Sequence, residues 1–205
     1  MKTKFYIIDN ADAQHTYVVE SLETHVFVLL NYSGTLRVQI QKEQAQVFIF
    51  GIYVGKDNEK LNIMTVQDHQ KGNALSELFI RGVFFDNAKF LYEGLINIAK
   101  DAQGSNAYQK NQNLILSPNA FVDSRPFLEI QANDVRCTHG STTGRIDRAH
   151  IEYLVSRGMS KENAQNLVIN GFISEVFAHI ARVAPDADLM KLKEKVVQYH
   201  HVFSY

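Results

Sequence analysis

The sequence predicts a mainly β protein that ends in a small helical module. Three observations carry this. Apolar and polar residues alternate at a period of two over most of the chain, polar turns interrupt them too often for helices, and after Gly144 the apolar period lengthens to that of a helix. Strands are expected from about residue 5 to about residue 145. "TLRVQIQ" places Leu36, Val38 and Ile40 on one face and Arg37 and Gln39 on the other, the pattern of a half-buried strand. "AQVFIFGIYV", "LNIMTV", "LFIRGVFF", "AKFLYEGLINIA", "NLILS", "AFVDS", "FLEIQA" and "VRCTH" follow, separated by "GKDNEK", "QKGN" and "KDAQGSNAYQKNQ", which read as turns and loops. Many short strands at this spacing suit a sandwich or barrel, and they equally suit a parallel β-solenoid that winds two strands per coil. Asn-Gly and Asp-Gly hairpin dipeptides are absent from this region, which leans toward the solenoid.

The helical module reads as three elements. Asp147 is the expected N-cap of the first, Ile151, Leu154 and Val155 form its apolar stripe, and Gly158 stops it. Ser160 caps a second helix whose Ala164, Leu167, Val168, Phe172, Ile173, Val176, Phe177 and Ile180 keep the helical period. Pro185 ends it, and Asp186 is the expected start of a third helix through "LMKLKEKVVQYHH". Gly171 inside the second helix costs about 1 kcal/mol relative to Ala and points to close approach by another backbone. The expected organisation is a β core over residues 1–145 and a helical module over residues 146–205. Part of the apolar stripe should pack on the end of the β core, and removal of the module should leave that core soluble.

Composition excludes several function classes. The 205 residues, 45% apolar and 21% charged, suffice for a real core. Lys plus Arg total 21 against 22 Asp plus Glu, so there is no basic surplus to neutralise nucleic acid. No apolar run approaches the ~20 residues that span a bilayer, and the start "MKTKFYIIDNADAQ" has no apolar signal segment. With one cysteine the chain makes no internal disulfide, and a reducing cytoplasm is its expected compartment. No "GxxxxGK[ST]" phosphate loop occurs, so no bound nucleotide is expected.

The stretch "NLILSPNAFVDSRPFLEIQANDVRCTHGSTTGRIDRAHIEYLVSRGMSKENAQNLVINGFISEVF", residues 113 to 177, resembles the C-terminal core of the SufB/SufD family, the scaffold proteins of the SUF iron-sulfur assembly system. "VDSRPFLEI", "NDV" with "CTHG", "YLVSRGMS" and "NGFISEV" carry the resemblance and fall in order without a gap. "CTHG" is the SufD-like form, whereas SufB-like chains carry Glu-His-Glu there and a further cysteine on the preceding coil. The resemblance implies a right-handed parallel β-helix with a C-terminal α-helical module. It also implies a non-catalytic scaffold that forms a dimer with a SufB-like subunit or a second copy of itself. A transient iron-sulfur cluster would sit at the subunit interface, and the C-terminal helices would contact a SufC-like ATPase. Relative to that family the chain looks like a short form without the N-terminal helical region.

Cys137 and His139 are the candidate metal ligands. Two apart on a predicted strand, they share a face with their Cα atoms about 6.5 Å apart. An iron-sulfur cluster takes about four protein ligands, mostly thiolates with occasional imidazole, so a second chain would have to complete the site. The ordinary alternative is packing: Cys137 alternates with Val135, and His139 beside Gly140 suits an imidazole bonded to a turn. Asp123, Arg125 and Glu129 raise a second function class, a carbohydrate-active β-helix enzyme using surface carboxylates, against which a solvated charge ladder is the plain reading. A purely structural homodimer without cluster chemistry is a third possibility. His200 and His201 have no nearby cysteine and read as surface residues.

Overall fold

Among the described residues eleven strands wind into a parallel β-helix, and three helices follow. The computed structural model describes residues 2–9 and 13–199, without the side chains of residues 198 and 199. Strands β1 (Thr3–Ile8), β3 (Thr24–Leu30), β5 (Gln46–Gly55), β7 (Leu75–Phe84), β9 (Asn106–Ile115) and β11 (Arg136–Gly144) form one parallel sheet in that order. Strands β2 (Ala13–Val19), β4 (Gly34–Ile40), β6 (Lys60–His69), β8 (Lys89–Ile98) and β10 (Phe121–Ile130) form the second. The chain alternates between the two sheets, so each coil stacks on the one before it. Of the architectures open to the strand pattern, this is the solenoid.

The turns explain why hairpin dipeptides are missing. At one edge of the coil Asn31, Asp57 and Asp86 adopt positive φ, and at the other Gln44, Asn73 and Gly104 do. Asn and Asp tolerate this left-handed conformation better than other side chains. The same residues tie coils together: Asn31 Nδ2 donates to Val54 O at 2.8 Å, and the amides of Asp57 and Asp86 donate to Asp86 Oδ2 and Ser117 Oγ.

Inside, apolar residues stack in register from coil to coil, as in the column Phe27, Ile49 and Leu78. Two expectations change here. "NAYQKNQ", read as loop, lies in β9, because Ala107, Gln109, Asn111 and Asn113 occupy inward positions where apolar residues are the rule. "AFVDS" and "FLEIQA" are one strand, β10, through Pro126. An edge strand tolerates a missing backbone donor.

The helices are α1 (Arg148–Ser156), α2 (Lys161–Val183) and α3 (Leu189–Tyr199). Asp147 and Ser160 are N-caps, accepting from the amides of Ala149 and Asn163. The third helix is capped by Asp188 instead of Asp186, its carboxylate accepting from Lys191 N at 3.0 Å. Helix α2 lies along the outer flank of the first sheet and not on the end of the β core. Ile169, Ile173, Val176, Phe177 and Ile180 bury there against Val26, Val28, Phe48, Phe50, Ile52 and Phe79, and Leu192 and Val196 of α3 join the same cluster. Arg81 fastens the contact: Nη1 donates to Phe172 O at 2.9 Å, Nη2 pairs with Glu175, and the guanidinium sits 4.1 Å from the Phe172 ring centre. Stripping off residues 146–205 would expose this apolar face, so the soluble truncated core is not the expected product.

Gly171 is exposed, and a Cβ there would meet nothing within 4 Å. No backbone approaches it, contrary to the expectation from sequence. Gly171→Ala should therefore raise stability by about 0.5–1 kcal/mol in denaturant unfolding, from helix propensity alone.

His69 yields a second prediction. Its imidazole is buried inside the β-helix, with Nε2 2.7 Å from Ser76 Oγ. Burial lowers its pKa from 6.5 to about 4, against a small opposing pull from Asp68. Between those values the unfolded chain binds a proton that the folded chain rejects, so this contribution to stability is full above about pH 6.5 and is lost as pH falls toward 4. The loss should be roughly 3 kcal/mol in urea unfolding across this window, and His69→Gln should flatten that slope.

Candidate functional site

The β-helix ends in two edge strands. Among the described residues β10 pairs only with β8, and β11 only with β9. On β9 the inward positions are Ala107, Gln109, Asn111 and Asn113, and in register above them stand Cys137, His139, Ser141 and Thr143 of β11. Cys137 and His139 thus share the inward face of the final strand, as their spacing predicted. The two residues differ in surroundings. Cys137 is half-buried and packs with Val135 against Ile96, Ile98, Ala102, Ala107 and Ala132. Burial raises the pKa of its thiol, which keeps it protonated until a metal or a cationic group displaces the proton. His139 is exposed.

Leu128 and Ile130 of β10 complete this end. They lie in register over Ile96 and Ile98, which are fully buried, yet are themselves 37% and 42% exposed because no coil stacks on them. Ser141 Oγ donates to Ser124 Oγ at 2.9 Å across the mouth of the helix. The end therefore presents unpaired strand edges, two large aliphatic side chains, one thiol and one imidazole. Chemically it holds two soft or borderline metal donors, short of a full ligand set, beside an apolar surface. Among the described residues no group of three or more His, Cys, Asp or Glu side chains gathers to hold a metal ion.

The remaining candidates do not converge. Arg125 Nη2 pairs with Asp123 Oδ2 at 2.6 Å and its Nη1 lies 3.8 Å from Glu93 Oε1, so these surface carboxylates form a charge ladder across strands. Glu129 lies further along the same exposed strand. His200 and His201 lie outside the described residues. No described helix is long and apolar enough to cross a membrane. What sequence reasoning missed is the buried polar row Gln67, His69, Ser76, Gln109, Asn111 and Asn113. Its signal was present in "AYQKNQN", where a period of two persists with amides in place of apolar residues.

Beside the helices lies an open groove of about 760 Å³, lined by Ile146, Arg148, Ile151, Glu152, Val155 and Gln165 among others. Val155 and Leu167 are 42% and 50% exposed, so part of the apolar stripe predicted for these helices is not covered by the β-helix.

Comparison with known proteins agrees with this architecture. The model of the SufBD core domain, of the SUF system of FeS cluster assembly, matches residues 6–172. The chain is 36% identical over 138 residues to the iron-sulfur cluster assembly protein SufD of Escherichia coli, covering 67% of this chain and 33% of that protein. It is 31% identical over 147 residues to SufD of Bacillus subtilis, covering 72% of this chain and 34% of that protein. It is also 31% identical over 127 residues to the chloroplastic protein ABCI7 of Arabidopsis thaliana, covering 62% and 26%. The chain thus spans about a third of the length of the SufD relatives it matches. With a parallel β-helix, the matching core and SufD among its relatives, this chain belongs to the SufB/SufD family of iron-sulfur cluster assembly proteins and is SufD-like.

Proposed function

We propose that the chain is a non-catalytic scaffold subunit of iron-sulfur cluster assembly, working in the cytoplasm. It pairs through the open end of its β-helix, residues 128 to 139, with a SufB-like subunit or a second copy of itself. The observation that carries this reading is the edge strand β11, which sets a half-buried thiol and an exposed imidazole on one face beside Leu128 and Ile130. Unpaired strand edges invite another chain, and exposed aliphatic side chains favour its burial there. The cluster is the cargo, held transiently between the two chains. Cys137 and His139 supply part of its ligand set and the partner supplies the rest, since a cluster takes about four ligands. Residues 1–145 act as the core that builds this interface. Residues 146–205 act as the module that docks a SufC-like ATPase, which brings the nucleotide site. The groove beside α1 and the exposed Val155 and Leu167 support that docking face.

The test is made on the complex isolated with its SufB-like and SufC-like partners. His139→Ala should lower iron and sulfide per complex at least fivefold, with the thermal midpoint and the light-scattering mass unchanged. Cys137→Ser should cost about 1–3 kcal/mol of stability by setting a hydroxyl against apolar neighbours, with a smaller loss of iron. Unchanged iron and sulfide in a folded His139→Ala complex would remove His139 from the site.

The docking surface has its own test. Val155→Asp places a charge on an exposed position of α1 and should leave the chain folded while cutting retention of the ATPase at least tenfold in pull-down. Full retention would move the docking face elsewhere.

A further inference from the structure

The interior of the β-helix is apolar through its first coils, and from β6 onward polar side chains share it with apolar ones such as Ile96 and Ile98. Gln67, His69, Ser76, Gln109, Asn111 and Asn113 point inward there, and none is more than 3% exposed. Some of their atoms satisfy one another. Gln67 Nε2 and His69 Nε2 each lie 2.7 Å from Ser76 Oγ, and Gln67 Nε2 also reaches Tyr108 O at 3.4 Å. Gln109 Nε2 donates to Gly94 O at 3.4 Å, and Asn113 Nδ2 to Asn111 Oδ1 at 2.8 Å. Asn111 Nδ2 continues to Ser124 Oγ at 3.3 Å, and Ser124 meets Ser141 at the mouth.

Four atoms of this row have no hydrogen-bond partner among the described residues: Gln67 Oε1, His69 Nδ1, Gln109 Oε1 and Asn113 Oδ1. Turning an amide over exchanges an orphaned oxygen for an orphaned NH₂ group and so relocates the deficit. Four of the orphaned side-chain atoms gather in one short stretch of core, and a buried polar group without a partner calls for an explanation, of which an ordered guest is one. The backbone also makes room for polar groups here. A Cβ on Gly94 would stand 2.3 Å from Gln109 Nε2, and one on Gly82 would stand 2.5 Å from Asn113 Oδ1, so glycine at these two positions admits the amides. A guest that can donate to carbonyl oxygens and either donate to or accept from an imidazole nitrogen is water, which typically makes about three hydrogen bonds in such sites.

We propose that this row binds a file of ordered water molecules, admitted at the open end between β10 and β11, and that His69 exchanges its ring proton with solvent through it. The way in is polar at the mouth, where Ser141 and Thr143 are exposed. The far side is closed by the apolar column that begins at Ile40, which pairs with His69 in register.

The test uses the ¹⁵N-labelled full chain, comparing protection of the His69 ring N–H with that of the backbone amides of Ile40 and Ile98, which flank it in register. Each is corrected for its intrinsic exchange rate. The ring proton should be protected at least a hundredfold less than those amides, and the side-chain amides of Gln109 and Asn113 should show cross-relaxation with long-lived water. Gln109→Leu, which blocks the file with an apolar side chain of similar length, should raise protection of the ring proton at least tenfold while the flanking amides keep theirs. Equal protection of ring and backbone in the wild-type chain would mean that the interior meets water only by unfolding, and would overturn the proposal even if Gln109→Leu failed to fold. An unchanged ring rate in a folded Gln109→Leu chain would overturn it as well.

Discussion

The constraint on which the rest of this structure depends is that the first sheet is apolar on both faces. Strands β3, β5 and β7 alternate Phe27, Leu29, Ile49, Leu78 and Ile80 toward the interior with Val26, Val28, Phe48, Phe50, Ile52 and Phe79 toward the outside. A parallel sheet with two apolar faces needs cover on both. The second sheet covers one, and α2 and α3 cover the other. Each fully buried aliphatic or aromatic side chain contributes roughly 1.5–3 kcal/mol, so the helices and the coils stabilise one another. Arg81 sharpens this contact by reaching from β7 to a backbone carbonyl and a carboxylate of α2, which fixes where the helix sits along the sheet.

That packing divides the helical module into two surfaces. The face of α2 that carries Ile169, Ile173, Val176 and Ile180 belongs to the core and is unavailable to partners. Helix α1 buries only Ile151, and the groove beside it stays open. The same division appears at the end of the β-helix. Ile96 and Ile98 are closed off by the last coil, whereas Leu128, Ile130, Cys137 and His139 have no coil above them. A solenoid leaves such an end by construction, because the last coil satisfies the one below it and finds no partner of its own. Chemistry placed on that coil is presented to another molecule without any change in the fold.

The interior departs from the rule of apolar stacking along Gln67, His69, Ser76, Gln109, Asn111 and Asn113. Buried amides are costly unless paired, and the chain pairs most of them along the coil axis through Ser76, Ser124 and the carbonyl of Gly94. Across the coil from this row Tyr53, Phe84, Phe90 and Tyr92 pack ring against ring. Apolar and polar interior thus stand side by side across the width of the same coils.

Much of this was legible in the sequence. The alternation of Leu36, Val38 and Ile40 marked strands, the caps Asp147 and Ser160 marked helices, and the ordered elements from "VDSRPFLEI" to "NGFISEV" marked the family. Cys137 and His139 could be placed on one face from their spacing, because side chains alternate along any strand. What escaped was each feature that depends on what lies on the other side of a side chain. "NAYQKNQ" reads as loop until a second sheet encloses it and turns its amides inward. Gly171 suggests a close neighbour until the helix is laid on the sheet and the glycine faces away. Periodicity along the chain determines which residues share a face. Only tertiary structure decides what that face meets, because burial is set by neighbours many residues distant, and those neighbours made α2 part of the core and left β11 at the edge.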